Sequence, residues 1–532
     1  MSAEPRSPSR GGSGVARSTA IFSIATGASR IAGLVREVFA RNYFGTSGAA
    51  SAFTLAFQVP NLVRGLFADA ALSAAFVPVF TELLEKDQKR DAFKLATTLL
   101  LVIVAVLGAI TALFILGAGL IMPLFTLGDQ FDAPLIDLTV GLSRVMFPIV
   151  VLLGVNGLVV GIVNVYGRFG VAAFAPLLWN VVIIVCLIVL RGAFSGPHQI
   201  YAYAIGILIG TVVQLAISLP LLKQVGFRFD RVVDLRDPRL RQIFVLMLPV
   251  TIGLGVINFD LIINSTLGTL VSAQAPSAID AAFRVYMLPQ GMFSVAVATV
   301  LFPTLSRLAA REDLDGLRAT MSTGVRQIFL LLVPAAAFTV VLSTPITRLV
   351  YQRGDFGPGS THLVSEALFW FSFSLPFAGA NLLLTRTFFS LKQPWIPTRL
   401  AAVNLVINTI ISLALYKPLG IAGLVIGTAV ASAGMTILQA RALRTLLRGS
   451  LEGAATLAAL LRITLASGLL AAAAYGTWRG LDSLLGRTLP AQVAAVGLAA
   501  LVAIVVYGAA VLALRIPEAG QLERLVRARV GR

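Results

Sequence analysis

Four arginines stand inside long apolar stretches of the chain, where a permanent positive charge is costly. They are Arg30 and Arg36 near the start, Arg64 in AFQVPNLVRGLF and Arg284 in AFRVYMLPQGMF. An arginine at the centre of a membrane helix costs about 2.5–3.5 kcal/mol on insertion scales. A guanidinium group offers a fork of donors that matches phosphate oxygens in pairs. These arginines therefore predict a hydrated site for an anion, most naturally a phosphorylated one.

The two twelve-residue stretches resemble each other. In their alignment Arg64 falls opposite Gln290, and Arg284 falls opposite Gln58. Because the two arginines occupy nearly equivalent positions in the two repeats, we expect them to face one common cleft from opposite sides. An internal ion pair, or a side chain that reaches the membrane surface, is the alternative for each of them.

Acidic side chains occur in the same apolar stretches, at Glu37, Asp69 and Asp260. An ionisable residue inside a membrane faces water or pairs with an opposite charge, so these acids are candidate partners. Arg30, Gly33 and Glu37 recur at helical spacing, which places them on one face of the first helix.

Composition indicates a protein that crosses a membrane many times. Of 532 residues, 57% are hydrophobic and 12% are charged, and the mean hydropathy is +0.89. Soluble domains carry roughly 25% charged residues. The net charge of +18 is typical of basic inner loops, and no segment is polar enough to predict nucleic-acid binding. The single cysteine, Cys186, excludes a disulfide framework.

The apolar pattern predicts an all-α polytopic membrane protein with fourteen transmembrane helices, each of roughly 20 residues. The predicted spans are 17–39, 50–80, 95–118, 138–165, 171–190, 200–222, 242–268, 278–308, 327–349, 362–389, 399–416, 420–440, 455–476 and 490–514. The distribution of Lys and Arg between alternate loops places both termini in the cytoplasm. Pro60, Pro78, Pro289 and Pro303 predict bent or broken helices in the second and eighth spans.

An internal repeat organises the chain. The number of residues that separates the two arginine stretches also separates later matching segments. There GVNGL resembles GANLL, and Asn180 falls opposite Asn404. Six spans in each half give a parallel repeat, an architecture of transporters. The predicted domains are a disordered N-terminus, two six-helix lobes, a C-terminal helix pair and a basic cytoplasmic tail: 1–16, 17–225, 226–448, 449–515 and 516–532.

SRIAGLVREVFARNYFG, followed by AFTLAFQVPNLVRGLFADAALSAAFVPVFTELL, resembles the N-terminal signature of the MurJ (MviN) family. That family flips lipid II, the lipid-linked peptidoglycan precursor, across the bacterial inner membrane, and it belongs to the multidrug/oligosaccharidyl-lipid/polysaccharide exporter superfamily. The resemblance implies a transporter of the plasma membrane rather than an enzyme. Consistent with that, no nucleotide-binding loop, metal-ligand spacing or catalytic triad is found in the sequence.

The resemblance also implies residue roles. Arg30, Arg36, Arg64 and Arg284 match the family's substrate-binding arginines, and Glu37 and Asp69 match acids that serve gating or salt-bridge exchange. The last two helices are implied to form a groove for the lipid tail. Some members bind sodium, for which Asp260 with Asn404 or Asn408 is the candidate site. No other cofactor is expected, and either sodium or the membrane potential is the candidate energy source.

Two departures from the family pattern bear on gating. Ser51 and Met287 stand where many members carry acids. The alternatives left open are export of another polyprenyl-diphosphate sugar or of a drug, and a non-transporting scaffold that binds cell-wall synthesis proteins. A drug exporter favours a carboxylate-lined cavity, which the arginines argue against. The expected partners are lipid II and membrane lipids.

Overall fold

The chain is all-helical wherever it is described. A computed structural model describes residues 12–67, 70–166, 170–230, 232–449, 451–518 and 520, and within these ranges every regular element is a helix. Of the predicted disordered segment 1–16, residues 1–11 lie outside the described ranges, and α1 begins at Gly12. Most of the predicted basic tail also lies outside them.

Two compact units divide the chain. Unit 1 comprises residues 1–44, 52–125 and 132–258, and unit 2 comprises 45–51, 126–131 and 259–532. The helices that begin in the first half of the chain are α1 (Gly12–Phe44), α2 (Gly48–Phe67), α3 (Ala70–Glu85), α4 (Lys89–Ile121), α5 (Ala133–Met146), α6 (Ile149–Val165), α7 (Gly170–Leu190), α8 (Tyr201–Gln224) and α9 (Pro238–Thr269). The helices of the second half are α10 (Ala275–Pro289), α11 (Val295–Ala310), α12 (Leu314–Val341), α13 (Ser343–Tyr351), α14 (Pro358–Ser390), α15 (Trp395–Leu446), α16 (Gly453–Leu485) and α17 (Leu489–Ala513).

Ten helical segments within the described ranges are long and apolar enough to cross a membrane. In hydrocarbon a helix satisfies its own backbone hydrogen bonds, so an apolar segment of this length is stable there only as a helix. This confirms an all-helical polytopic membrane protein. The finer count of fourteen spans, and the repeat that relates the two halves, stay predictions.

Helix α7 packs against α1 and α8 in unit 1. Gly206 and Gly210 of α8 make the second contact close. A Cβ atom at Gly206 would lie 3.1 Å from Cys186 Cβ, and one at Gly210 would lie 3.2 Å from the Trp179 carbonyl oxygen. Small residues let membrane helices approach each other where no hydrophobic effect drives them together.

Helix α14 lies at the centre of the packing in unit 2, where it packs against α10, α11, α12, α13 and α15. The last two helices pack against each other and dock on α12. Ile463 and Ala466 of α16 are fully buried in this contact beside Leu330. The Tyr507 hydroxyl of α17 donates a hydrogen bond of 2.7 Å to the Leu330 carbonyl oxygen. The C-terminal pair is therefore an integral part of unit 2.

Two of the long helices contain breaks. A π-helical turn, Gln290–Ser294, follows Pro289 and separates α10 from α11, within the eighth predicted span. Helix α15 contains Gly420 in a left-handed conformation, with φ of 57°. Glycine tolerates positive φ because it lacks a Cβ atom. The predicted spans 399–416 and 420–440 meet at this glycine.

The docking of α16 on α12 can be tested by replacing one buried side chain. We expect Ile463→Ala to lower the free energy of unfolding of the detergent-solubilised protein by about 1–3 kcal/mol, because it leaves a cavity between helices. Thermal unfolding followed by tryptophan fluorescence measures the change. Leu465→Ala on the same helix is the matched control, since Leu465 is 65% exposed. Equal effects of the two substitutions would contradict this packing.

Candidate functional site

Arg36 is buried in unit 1 without a carboxylate partner among the described residues. Its side chain lies between α1 and α7, 8% exposed, and its guanidinium carbon stands 4.9 Å from the centre of the Trp179 ring. Arg36 Nε has no hydrogen-bond partner within the described part of the chain. A ring face attracts a cation but leaves its N–H donors free. This guanidinium is therefore held in place and can still donate to an anion.

The neighbouring acid is already engaged. Glu37 Oε1 accepts a hydrogen bond of 2.9 Å from Arg41 Nε, and both residues are at least 95% buried. The four-residue spacing puts them on the same face of α1. The sequence analysis named Glu37 but missed Arg41, although this spacing was visible. Gly33, one turn earlier, lies against Asn180 of α7, so α1 and α7 meet along this face.

The other two arginines of unit 1 differ in their surroundings. Arg64 on α2 is half-buried, and its Nε and Nη2 atoms both donate to Asn61 Oδ1, at 3.1 and 2.8 Å. Arg30 on α1 is exposed. Asp69, the other predicted gating acid, lies outside the described residues. The neutral Asn61 thus orients the Arg64 guanidinium.

Arg284 lies in unit 2 on α10 and forms an ion pair. Its Nε donates to Asp280 Oδ2 over 2.9 Å, with side-chain exposures of 34% and 18%. The sequence analysis missed Asp280, one turn before the arginine at the spacing typical of helical ion pairs. Any anion that binds Arg284 therefore competes with this carboxylate.

Ser51 and Met287, the two departures from the family pattern, have different environments. Ser51 is fully buried, and its hydroxyl accepts a hydrogen bond of 3.2 Å from the backbone N–H of Ser277. Ser277 lies in the first turn of α10, where backbone donors have no partner inside the helix. Ser51 thus caps α10 without a charge. Met287 is 48% exposed.

Asp260 lies in a polar cluster of unit 2 between α9 and α15. Asp260 Oδ1 accepts a hydrogen bond of 2.7 Å from Asn408 Nδ2, and Oδ2 accepts a longer one, of 3.5 Å, from Asn264. Asn408 also donates to Asn264 Oδ1 over 3.1 Å. The Thr428 hydroxyl stands 3.4 Å from Asn408 Oδ1. The structure thus brings Asp260 and Asn408 together and adds Asn264 and Thr428, which the sequence analysis missed.

The donor set of this cluster fits a small hard cation. The carboxylate, amide and hydroxyl oxygens here are the ligand types that hard cations prefer. Asn404 Oδ1, one turn before Asn408, is buried and has no hydrogen-bond partner among the described residues. Within those residues, no group of three or more His, Cys, Asp or Glu side chains could hold a metal ion. Any cation here would therefore depend on one carboxylate and several neutral oxygens.

Comparison with protein families gives a clear match. The family model described as "Lipid II flippase MurJ" matches residues 40–514. The chain belongs to the MurJ family. Arg64, Arg284 and Asp260 fall inside the matched residues, whereas Arg30 and Arg36 precede them.

Individual relatives agree with the family match. "Lipid II flippase MurJ" of Burkholderia cenocepacia is 30% identical over 410 residues, which are 76% of this chain and 78% of that protein. "Probable lipid II flippase MurJ" of Vibrio cholerae is 30% identical over 426 residues, 78% of this chain and 80% of that protein. These relatives are similar to the chain over more than three quarters of either length.

Solved structures show the same fold. A structure described as "Lipid II flippase MurJ, inward closed conformation" aligns with a TM-score of 0.77 at 22% identity, over 93% of this chain and 98% of its own. An inward-facing multidrug resistance MATE family transporter of the MOP superfamily aligns with a TM-score of 0.64 at 14% identity, over 80% and 94%. The superfamily fold expected from the sequence is confirmed.

The buried ion pair of α1 gives a stability prediction. We expect Glu37→Gln to lower the free energy of unfolding by about 3 kcal/mol, because Arg41 would keep a buried charge without its carboxylate. Thermal unfolding in detergent measures it. Glu82→Gln is the matched control, since Glu82 pairs with Lys86 at the same spacing on an exposed surface and should show no measurable loss. Equal losses would show that burial of the pair is not what matters.

Proposed function

We propose that this protein flips lipid II from the cytoplasmic to the outer leaflet of a bacterial plasma membrane by alternating access. The observation that carries the proposal is the match of residues 40–514 to the lipid II flippase family, together with relatives that bear this name at 30% identity. The ten apolar helical segments of spanning length found in the described part of the chain are the kind of scaffold such transport requires. No covalent chemistry belongs to this function.

We further propose that Arg36, Arg64 and Arg284 bind the diphosphate, with Arg30 as an exposed contributor. Arg36 supports this role because its partner, a ring face, leaves its charge intact, and Arg64 because Asn61 orients its half-buried guanidinium. Arg284 would exchange Asp280 for a phosphate oxygen when substrate arrives. Such an exchange makes binding depend on substrate charge without leaving a bare cation in the membrane. Glu37 and Asp69 are proposed to support gating.

The topology follows as a proposal of the same kind. Fourteen spans, two parallel six-helix lobes and cytoplasmic termini agree with the basic inner loops. The break at Gly420 supports counting α15 as two of the spans. With the outer face positive, outward movement of an anionic head group is favoured by about 2.3 kcal/mol per charge per 100 mV.

We propose that α16 and α17 supply apolar surface for the lipid tail. Support comes from an apolar cavity of about 280 Å³ in unit 2, lined by side chains of α12, α14, α15 and α16. Phe329, Leu384, Leu457 and Leu460 are among its lining residues. A polyprenyl chain needs a surface of this chemistry beside a polar path for its head group.

The polar cluster of α9 and α15 is proposed to bind sodium. Asp260 would supply the charge, and Asn404, Asn408 and Thr428 would supply neutral oxygens after rotation of the amides. A bound cation would neutralise the carboxylate and tie α9 to α15. Sodium binding is then one candidate energy source, and the membrane potential is the other.

Two rival functions remain as outcomes of the test. The first is export of another polyprenyl-diphosphate sugar or a drug, and the second is a scaffold for cell-wall synthesis proteins. The names of the relatives favour neither rival. The scaffold predicts that the arginines are dispensable, whereas another exporter predicts transport without lipid II selectivity.

Arginine substitution tests the transport function. We expect Arg64→Ala or Arg284→Ala to abolish rescue of a bacterium depleted of its own flippase, and to reduce lipid II translocation in proteoliposomes at least tenfold. We expect this reduction because each variant loses a charge-assisted hydrogen bond to the diphosphate, which is worth about 1.5–3 kcal/mol. Arg444→Ala, at an exposed arginine of α15, is the control at equal expression. Rescue by both variants would favour the scaffold.

Sodium dependence gives a separate prediction with a physical readout. We expect NaCl to raise the thermal unfolding temperature of the wild type above its value in equimolar KCl, because a bound ion stabilises the folded state. Asp260→Asn should remove that difference. Glu312→Gln, at an exposed acid in a turn of unit 2, is the control of equal charge change. A sodium effect that persists in Asp260→Asn would exclude this cluster as the site.

A further inference from the structure

Between α8 and α9 of unit 1, residues 225–230 and 232–237 lie against the first turns of α4. We call these residues the α8–α9 segment. Its backbone N–H groups at Asp230 and Asp234 donate to the hydroxyls of Thr97 and Thr98, each over 3.2 Å. Phe227 is 8% exposed and packs against Phe93 with ring centres 4.8 Å apart and the ring planes tilted by 56°. The segment therefore has a defined inner side.

All three acids of the α8–α9 segment contact cations of the protein. Lys94 Nζ lies 2.9 Å from Asp234 Oδ2, and Arg90 Nε lies 3.9 Å from Asp230 Oδ2. Asp237 stands before the first turn of α9, paired with Arg239 at 2.9 Å. The hydrogen bond from Lys94 holds the pKa of the Asp234 carboxyl below its usual range, so that contact persists at neutral pH. The negative charges of the segment are thereby directed inward.

What remains exposed is apolar and basic. The exposed apolar side chains are Phe229 at 59%, Val232 at 52%, Val233 at 45% and Leu235 at 67%. Arg228 and Arg236 are exposed among them. A surface that alternates apolar side chains with arginines, and whose acids face the protein, has the composition of an interfacial membrane contact.

The position of the segment points to the same partner. It lies at the ends of α4, α8 and α9, and Phe244, Val245 and Leu246 in the second turn of α9 are also exposed apolar side chains. These three side chains lie in the predicted span 242–268, and the apolar surface of the segment is continuous in sequence with this exposed apolar surface. A protein partner would need no such continuity.

We propose that the α8–α9 segment binds anionic phospholipid head groups, with Phe229, Val232, Val233 and Leu235 inserted at the level of the glycerol and upper acyl chains. Arg228 and Arg236 contact the phosphates. The hydroxyls of Thr97 and Thr98, and the ion pairs of Arg90 and Lys94 of α4 with Asp230 and Asp234, hold the backbone. The apolar and basic side of the segment thereby faces the bilayer. The segment would thus attach the ends of α4 and α9 to the membrane surface, independently of the transported substrate.

A single fluorescent label tests the insertion. Cys186 is the only cysteine of the chain, so Cys186→Ala removes the background, and Leu235→Cys accepts an environment-sensitive dye. The full chain is reconstituted in vesicles of phosphatidylcholine alone, or of phosphatidylcholine and phosphatidylglycerol in equal parts. We expect blue-shifted emission that lipids brominated near the head group quench, more strongly in the anionic vesicles. Lys86→Cys, in the exposed polar turn between α3 and α4, is the control and should stay solvent-like.

Charge substitution tests the partner. The double substitution Arg228→Gln and Arg236→Gln in the labelled protein should reduce the additional quenching that phosphatidylglycerol causes by at least twofold. Arg441→Gln with Arg444→Gln, on exposed positions of α15, should leave it unchanged. The proposal is overturned if, in both kinds of vesicle, the label at position 235 is as exposed to solvent as the label at position 86. It is also overturned if the label is shielded but not quenched by brominated lipid, because protein then covers the segment.

Discussion

The structure depends on one constraint, which is that a charge in an apolar helix must be satisfied inside the protein. Three different solutions are visible. Glu37 and Arg41 pair within one turn, Arg36 lies over the ring of Trp179, and Arg64 is oriented by a neutral amide. The first solution cancels charge, whereas the ring face of Trp179 leaves the Arg36 charge intact. A positive charge that is both fixed and preserved is what an anion-binding transporter needs from its helices.

The same constraint operates in unit 2 with a different result. Arg284 pairs with Asp280, and Asp260 is surrounded by amides and hydroxyls instead of cations. Asp260 accepts hydrogen bonds from two neutral amides, whereas the Nε donor of Arg284 is already bound to a carboxylate. Under the proposed function, Arg36 of one unit offers its guanidinium directly to phosphate, and Arg284 of the other links binding to the displacement of an existing partner.

Sequence reasoning reached the fold class and the family because both depend on short-range patterns. Apolar length predicts a membrane helix, and the signature around Arg36 and Arg64 is contiguous. The pair Asp280 and Arg284 was equally readable, since it requires only helical spacing. Trp179 and Thr428 were not, because Arg36 and Trp179 lie on helices far apart in the chain, and Asn408 and Thr428 meet across the break at Gly420 of α15. Such contacts depend on packing geometry, which periodicity does not encode.

The contact between Ser51 and Ser277 has a consequence for how this chain responds to its surroundings. A hydroxyl and a backbone amide carry no titratable proton over the physiological range, whereas an acid at the position of Ser51 would gain or lose one. Acidification of the medium would weaken a carboxylate cap at the start of α10 but leaves this one intact. This hydrogen bond at the start of α10 is accordingly insensitive to the surrounding proton concentration.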